Sequence, residues 1–103
     1  MTKNNYIVIG KNGEVVRNEE FPLHPGNVIE MEIEARGLKK QNVAKQLGIL
    51  PGHLSELLKE KRHVSALLAL KLEALFSIDA EFWLRVQNGY DLIKARKKLA
   101  KSA

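Results

Sequence analysis

The apolar positions along this chain change their spacing twice. In YIVIGKNGEVV (residues 6 to 16) two runs rich in β-branched residues flank Asn12-Gly13. That pair supplies the positive φ values of a type I′ turn, so the stretch predicts a short N-terminal β-hairpin over residues 1–20. A lone two-stranded hairpin is marginal in water, and its apolar side must rest on the rest of the chain, on a second copy, or on another protein. From FPLHPG onward the spacing becomes helical. Pro25 opens a first helix that runs to Arg36, with Val28, Ile29 and Ile33 on one stripe and Glu30, Glu32 and Glu34 between them; Gly37 stops it. Its acidic face is expected to point away from any nucleic acid.

Three shorter apolar patterns follow. Lys39 to Leu47 places Val43, Ala44 and Leu47 at helical spacing, with Gly48 as a left-handed stop. A third helix runs from about Pro51 to Lys59, and a fourth from the N-cap Ser65 through LLALKLEALF to Phe76. Asp79 caps a fifth, EFWLRVQNGYDLIKARKK, whose Phe82, Trp83, Val86, Tyr90, Leu92 and Ile93 outline one apolar side before it dissolves into basic residues. The pattern predicts an all-α, five-helix domain over residues 22–95, with the hairpin before it and a basic C-terminal tail, 96–103, after it.

The joint between the second and third helices, Leu47-Gly48-Ile49-Leu50, has the length used in a helix-turn-helix. Ala44 is small where two such helices pass closest, Gly48 takes the turn conformation, and Ile49, Leu54 and Leu57 fill the angle between them. Lys39 and Lys40 open the second helix, where a cation opposes the macrodipole at a cost of roughly 0.3 to 1 kcal/mol. A bound phosphate reverses that sign, because amide N–H groups and ammonium groups then act on the same anion.

Composition adds limits. The 103 residues suit one domain with a modest core. There is no cysteine, which removes disulfides, thiolate metal sites and thiol nucleophiles and fits a reducing, cytoplasmic setting. No stretch approaches about 20 consecutive apolar residues, so no membrane span is expected. The net charge is +5, but it is unevenly placed. Residues 37–63 carry six positive against two negative side chains, and residues 94–103 carry five positive and none negative, while the other segments are acidic. The central excess coincides with the helix-turn-helix and points to an anionic partner; the tail reads equally well as a solvated lysine-rich end.

LKKQNVAKQLGILPGHLSELLKEKR resembles the helix-turn-helix of the Xre family of Cro-like and phage-repressor-like proteins. LHPGNVIEMEI before it and FWLRVQNGYDL after it resemble the flanking signatures of the HigA branch of antitoxins. The resemblance covers about residues 22 to 95. It implies a DNA-binding domain that dimerises through its C-terminal helices, binds a palindromic operator as a homodimer, represses its own operon and neutralises a small RelE-like ribonuclease toxin. It places phosphate contacts on Lys39, Lys40 and Gln41, groove-facing positions on Pro51, Gly52, His53, Ser55, Glu56 and Lys59, and further backbone contacts on Lys61 and Arg62. Three residues depart from the family's pattern. Pro51 and Gly52 stand where polar side chains are usual, and Leu50 stands where a Ser or Thr cap is usual, a loss of about 1 kcal/mol that Pro51 partly offsets.

Other residues read as structural. His24, His53 and His63 lack metal-ligand spacing, and neither metal nor cofactor is expected; His24 is expected to cap the first helix. His53 faces either phosphate or solvent, and Glu56 either accepts from a cytosine amine or pairs at i, i+3 or i, i+4 with Lys59 or a neighbour of Glu60. Trp83 and Tyr90 belong to core or dimer interface, and Gln87 and Asp91 to helix-end or subunit hydrogen bonds. There is no Gly-rich phosphate loop and no Ser-His-acid set, so an enzyme is not expected. Two rival readings stay open: an interaction module that sequesters a partner through its hairpin or acidic first helix and binds DNA weakly, and a solitary regulator without a toxin.

Overall fold

The computed structural model describes residues 7–9, 15–17 and 22–102. It divides into two units, His24–Gln87 and a second made of residues 1–23 and 88–103.

The larger unit begins with α1 (Pro25–Ala35). His24 sits in extended conformation before it and its Nδ1 accepts from the Gly26 N–H at 2.9 Å, while the Asn27 side chain accepts from the His24 N–H at 2.8 Å. The expected histidine cap is thus half of a reciprocal pair that satisfies two orphan donors at once. Val28, Ile29 and Ile33 turn inward, and Gly37 ends the helix at φ +64. After it, α2 (Lys40–Leu47) buries Val43, Ala44 and Leu47, and α3 (Pro51–Leu58) buries Leu54 and Leu57.

Ser65 caps α4 (Ala66–Phe76), its hydroxyl accepting from the Leu68 N–H. Leu68, Ala69, Leu72 and Phe76 of α4 meet Ala80, Trp83 and Val86 of α5 (Ala80–Ser102) in the core. Trp83 is fully enclosed, 6.1 Å from the Phe76 ring, and donates its indole N–H to the Ile78 carbonyl. It is a core residue, as its helical spacing predicts, and a buried indole donor with a partner carries no desolvation penalty. Gln87, also buried, accepts from the Val64 N–H at 2.7 Å through Oε1, which ties α5 to the segment leading into α4.

In the second unit, β1 (Ile7–Ile9) and β2 (Val15–Arg17) pair antiparallel with Val8 opposite Val16 and Ile9 opposite Val15. Asn12 and Gly13 themselves lie outside the described residues. The unit's helical part, from Asn88 to Ser102, carries the fifth helix past Lys98, where the sequence pattern ended it, through the basic tail. Ala, Leu, Lys and Arg all propagate helix well, no Gly or Pro interrupts them after Gly89, and cations near a helix C-terminus complement the macrodipole. The charge run concealed that propensity.

Candidate nucleic-acid interface

The α2-turn-α3 unit is built by three residues. Gly48 takes φ +69 and donates its N–H to Lys45, and Ile49 donates to the Ala44 carbonyl at 3.0 Å, closing the end of α2. Leu50 is the N-cap of α3 without a side-chain hydrogen bond and stands 76% exposed, with Pro51 opening the helix. A hydrophobic residue so exposed at a helix start does nothing for the core.

α3 is clamped against α1 from behind. At Gly26 a Cβ would lie 2.0 Å from the Leu57 carbonyl oxygen, so the two backbones meet where only glycine fits. One turn further, the Asn27 amide donates to Glu60 at 3.1 Å, and Glu60 itself holds a left-handed φ of +65. Gly26, Asn27 and Glu60 were invisible as positioning residues in the sequence, because the contact spans 33 positions; the only signal was a glycine placed directly after the helix-opening proline.

Outward from this clamp lie the residues expected to touch DNA. Lys39, Lys40, Gln41, Pro51, Gly52, Glu56, Lys59, Lys61 and Arg62 are exposed, and His53 and Ser55 are half-buried. Lys40, Gln41, Pro51, Ser55 and Lys59 line one open cleft of about 490 Å³ together with Glu30, Leu54 and Leu58. Lys39, Gly52, His53, Glu56, Lys61 and Arg62 stand outside it. A Cβ on Gly52 meets nothing within 4 Å, so the fold places no demand on that glycine.

Glu30 corrects an expectation. The acidic face of α1 does not turn wholly away from the basic surface: Glu30 lines the cleft and lies 3.5 Å from the Lys40 ammonium. Helical periodicity placed Glu30 on the polar side of α1, and the packing of α3 against α1 and of α2 against α3 brings that side to the cleft.

On the other flank, Glu56 accepts from the Arg62 guanidinium at 2.5 Å. The hydrogen bond from Arg62, then its charge, holds the Glu56 carboxyl below the usual carboxylate range. Glu56 forms an ion pair, but its partner is Arg62 six positions on and not the expected Lys59 or a neighbour of Glu60, and two side chains expected at DNA are thereby occupied with each other. Partial burial, followed by the nearby Arg62 charge, lowers the His53 pKa from its ordinary value, with Glu56 opposing. His53 therefore stands neutral at pH 7 and offers hydrogen bonds without charge. Lys39 is the N-cap of α2 with no side-chain cap bond. Among the described residues no group of three or more His, Cys, Asp or Glu converges to hold a metal ion, and no helix is long and apolar enough to cross a membrane.

No family model matches the chain. Over 82 residues it is 35% identical to virulence-associated protein I of Dichelobacter nodosus, covering 79% of this chain and 76% of that protein. Among solved structures it is similar to an addiction module antidote protein of a HigA family from Coxiella burnetii, with 33% identity and a TM-score of 0.71 over 79% of this chain and 89% of the other. The antitoxin GraA, solved in complex with its operator, superposes with a TM-score of 0.72 at 30% identity, covering 84% of this chain and 89% of that one.

Proposed function

The chain belongs to the HigA family of antidote proteins, helix-turn-helix proteins of the Xre type, and from that membership we propose that it is a DNA-binding antitoxin that represses its own operon. One observation carries the reading most directly. The uncapped start of α2 presents Lys39 and Lys40 beside Gln41, next to the exposed start of α3, a combination that gains from a phosphate what it loses in the fold. Lys39, Lys40, Gln41 and Lys61 would hold the backbone. Pro51, Gly52, Ser55 and Lys59 would face the groove, with Glu56 and Arg62 acting as a pair and His53 as a neutral donor or acceptor.

The bareness of α3 supports close approach in place of dense side-chain contact. With Gly52 exposed and Pro51 short, little separates the helix backbone from a base edge, and discrimination falls to Ser55, Glu56, Lys59 and the shape of the duplex. Operator palindromy requires a dimer with half-sites about one helical turn apart. A surface suited to a second copy exists on α4, where Ala66, Leu67, Leu70 and Ala74 share one exposed side opposite the buried Leu68, Leu72 and Phe76. Two such helices packed antiparallel about Leu70 set Leu70 against its own copy and Ala66 of one against Ala74 of the other, the self-complementary match a two-fold interface needs. The toxin that such an antidote neutralises is, on this reading, a small RelE-like ribonuclease.

Electrophoretic mobility shift against the gene's own promoter tests the reading. Binding is expected to weaken steeply with salt, and Lys39→Ala is expected to lower affinity about tenfold while reducing the salt slope by about 1. Absence of binding at low salt overturns it. The second reading, an interaction module with weak DNA binding, draws on Glu30 and Glu56, which already occupy Lys40 and Arg62; it requires that promoter and random duplex bind alike.

A further inference from the structure

Lys94, Lys97, Lys98 and Lys101 recur at intervals of three, one and three along the C-terminal part of α5, and that part is helical through Ser102. At 3.6 residues per turn this spacing puts all four within about 100° of arc and along about 10 Å of helix. They line a common surface together with Ala95. All four are exposed, none takes part in the ion pairs formed among the described residues, and from Lys94 to the end the sequence holds no acidic side chain.

A solvated helical face normally mixes signs, because like charges three and four residues apart repel and opposite charges attract. Here each lysine has like-charged neighbours at both of those distances, and only the helix macrodipole works in favour of the arrangement. The exposed leucines of the same segment, Leu92 and Leu99, fall on the opposite side together with Arg96. At its N-terminal end the Lys94 ammonium sits 5.8 Å from the centre of the Tyr90 ring, and from Lys94 to Lys101 no aromatic or branched apolar group stands between the lysines on that side.

We propose that this stripe is a second nucleic-acid site, holding the phosphodiester backbone of duplex DNA without regard to sequence. Its chemistry selects that ligand. Lysine ammonium groups are mobile point charges that suit irregular phosphate positions, whereas protein interfaces centre on aromatic, Met and Arg side chains and exclude lysine. A membrane surface would demand a broad apolar face beside the lysines, and two leucines on the far side do not provide one. A duplex carries about six phosphate charges in 10 Å of axis, so four ammoniums over that length meet a surface of matching density. The proposal goes beyond operator recognition by α2 and α3 and does not depend on it.

The full chain and the variant Lys94→Gln/Lys97→Gln/Lys98→Gln/Lys101→Gln are titrated by fluorescence anisotropy against a random 30-base-pair duplex and the promoter duplex over a salt series. Glutamine propagates helix well, and the matching lysine-to-arginine variant keeps the charge, so loss of binding in the first with retention in the second separates charge from folding. Random-duplex affinity is expected to fall at least tenfold at low salt, and the slope of log affinity against log salt to become shallower by about 3. An unchanged affinity and slope overturns the proposal. So does unchanged duplex binding accompanied by lost binding to phosphatidylserine vesicles or to an acidic protein. Native binding to random duplex without promoter preference, lost in the glutamine variant, supports the stripe and sinks the operator reading; promoter preference with an unaltered slope does the reverse.

Discussion

Gly26 and Gly52 both lie in the first turn of a helix, yet they answer to different constraints. A Cβ on Gly26 would enter the Leu57 backbone, while one on Gly52 meets open space. Gly26→Ala is expected to cost about 3 kcal/mol, as other overpacked core sites do, in urea unfolding. Gly52→Ala should instead stabilise by up to about 1 kcal/mol, since alanine propagates helix better than glycine. If the backbone of α3 approaches the groove as proposed, the same added methyl lowers promoter affinity several-fold; gained stability with unchanged affinity would remove Gly52 from the interface. His53 gives a pH test with a definite sign. Its folded pKa lies below the ordinary 6.5, so the folded chain binds fewer protons there than the unfolded one, and its contribution to stability is lost as pH falls below that value. On the proposed function, protonation also adds a cation facing DNA. Promoter affinity is thus expected to rise between pH 7 and 5 even as the fold weakens, and His53→Gln should remove the rise seen by anisotropy.

At the level of elements, the proposed function sets folding against binding most plainly in α2. Its N-cap is Lys39, which makes no cap bond, where Ser or Asp would add about 1 kcal/mol. Lys39→Ser is expected to raise the melting temperature by several degrees and to lower promoter affinity about tenfold, both read on the same preparation. Five helix starts and stops that depend on local chemistry were legible in the sequence: Pro25 and Gly37 for α1, Gly48 for α2, Pro51 for α3, Ser65 for α4. The end of α5 was not, because a run of lysines reads as unstructured unless its helix propensity is weighed against its charge. The clustering of Lys40, Gln41, Pro51, Ser55 and Lys59 follows from the helix-turn-helix spacing. Glu30 beside Lys40, Asn27 on Glu60, and Glu56 on Arg62 do not, since each depends on how helices or their ends pack, which no periodicity encodes.

For the molecule as a whole, the proposals set two tasks on a chain of 103 residues. Sequence-independent attraction comes from the charge total, whereas operator preference requires two copies in a fixed register. Leu70→Lys separates them. Leu70 is 58% exposed at the middle of the apolar side of α4, so the single chain loses little by the change. In an antiparallel pair, however, two lysines would meet near the two-fold axis, where like charges and lost apolar contact both oppose association. Analytical ultracentrifugation is expected to show the variant as a monomer at concentrations where the native chain is dimeric. The added cations leave random-duplex binding equal or tighter, while promoter affinity falls at least tenfold because two half-sites no longer bind together. Opposite signs on the two duplexes cannot arise from unfolding, which weakens both. A variant that stays dimeric and keeps its promoter preference would move the two-fold interface off α4.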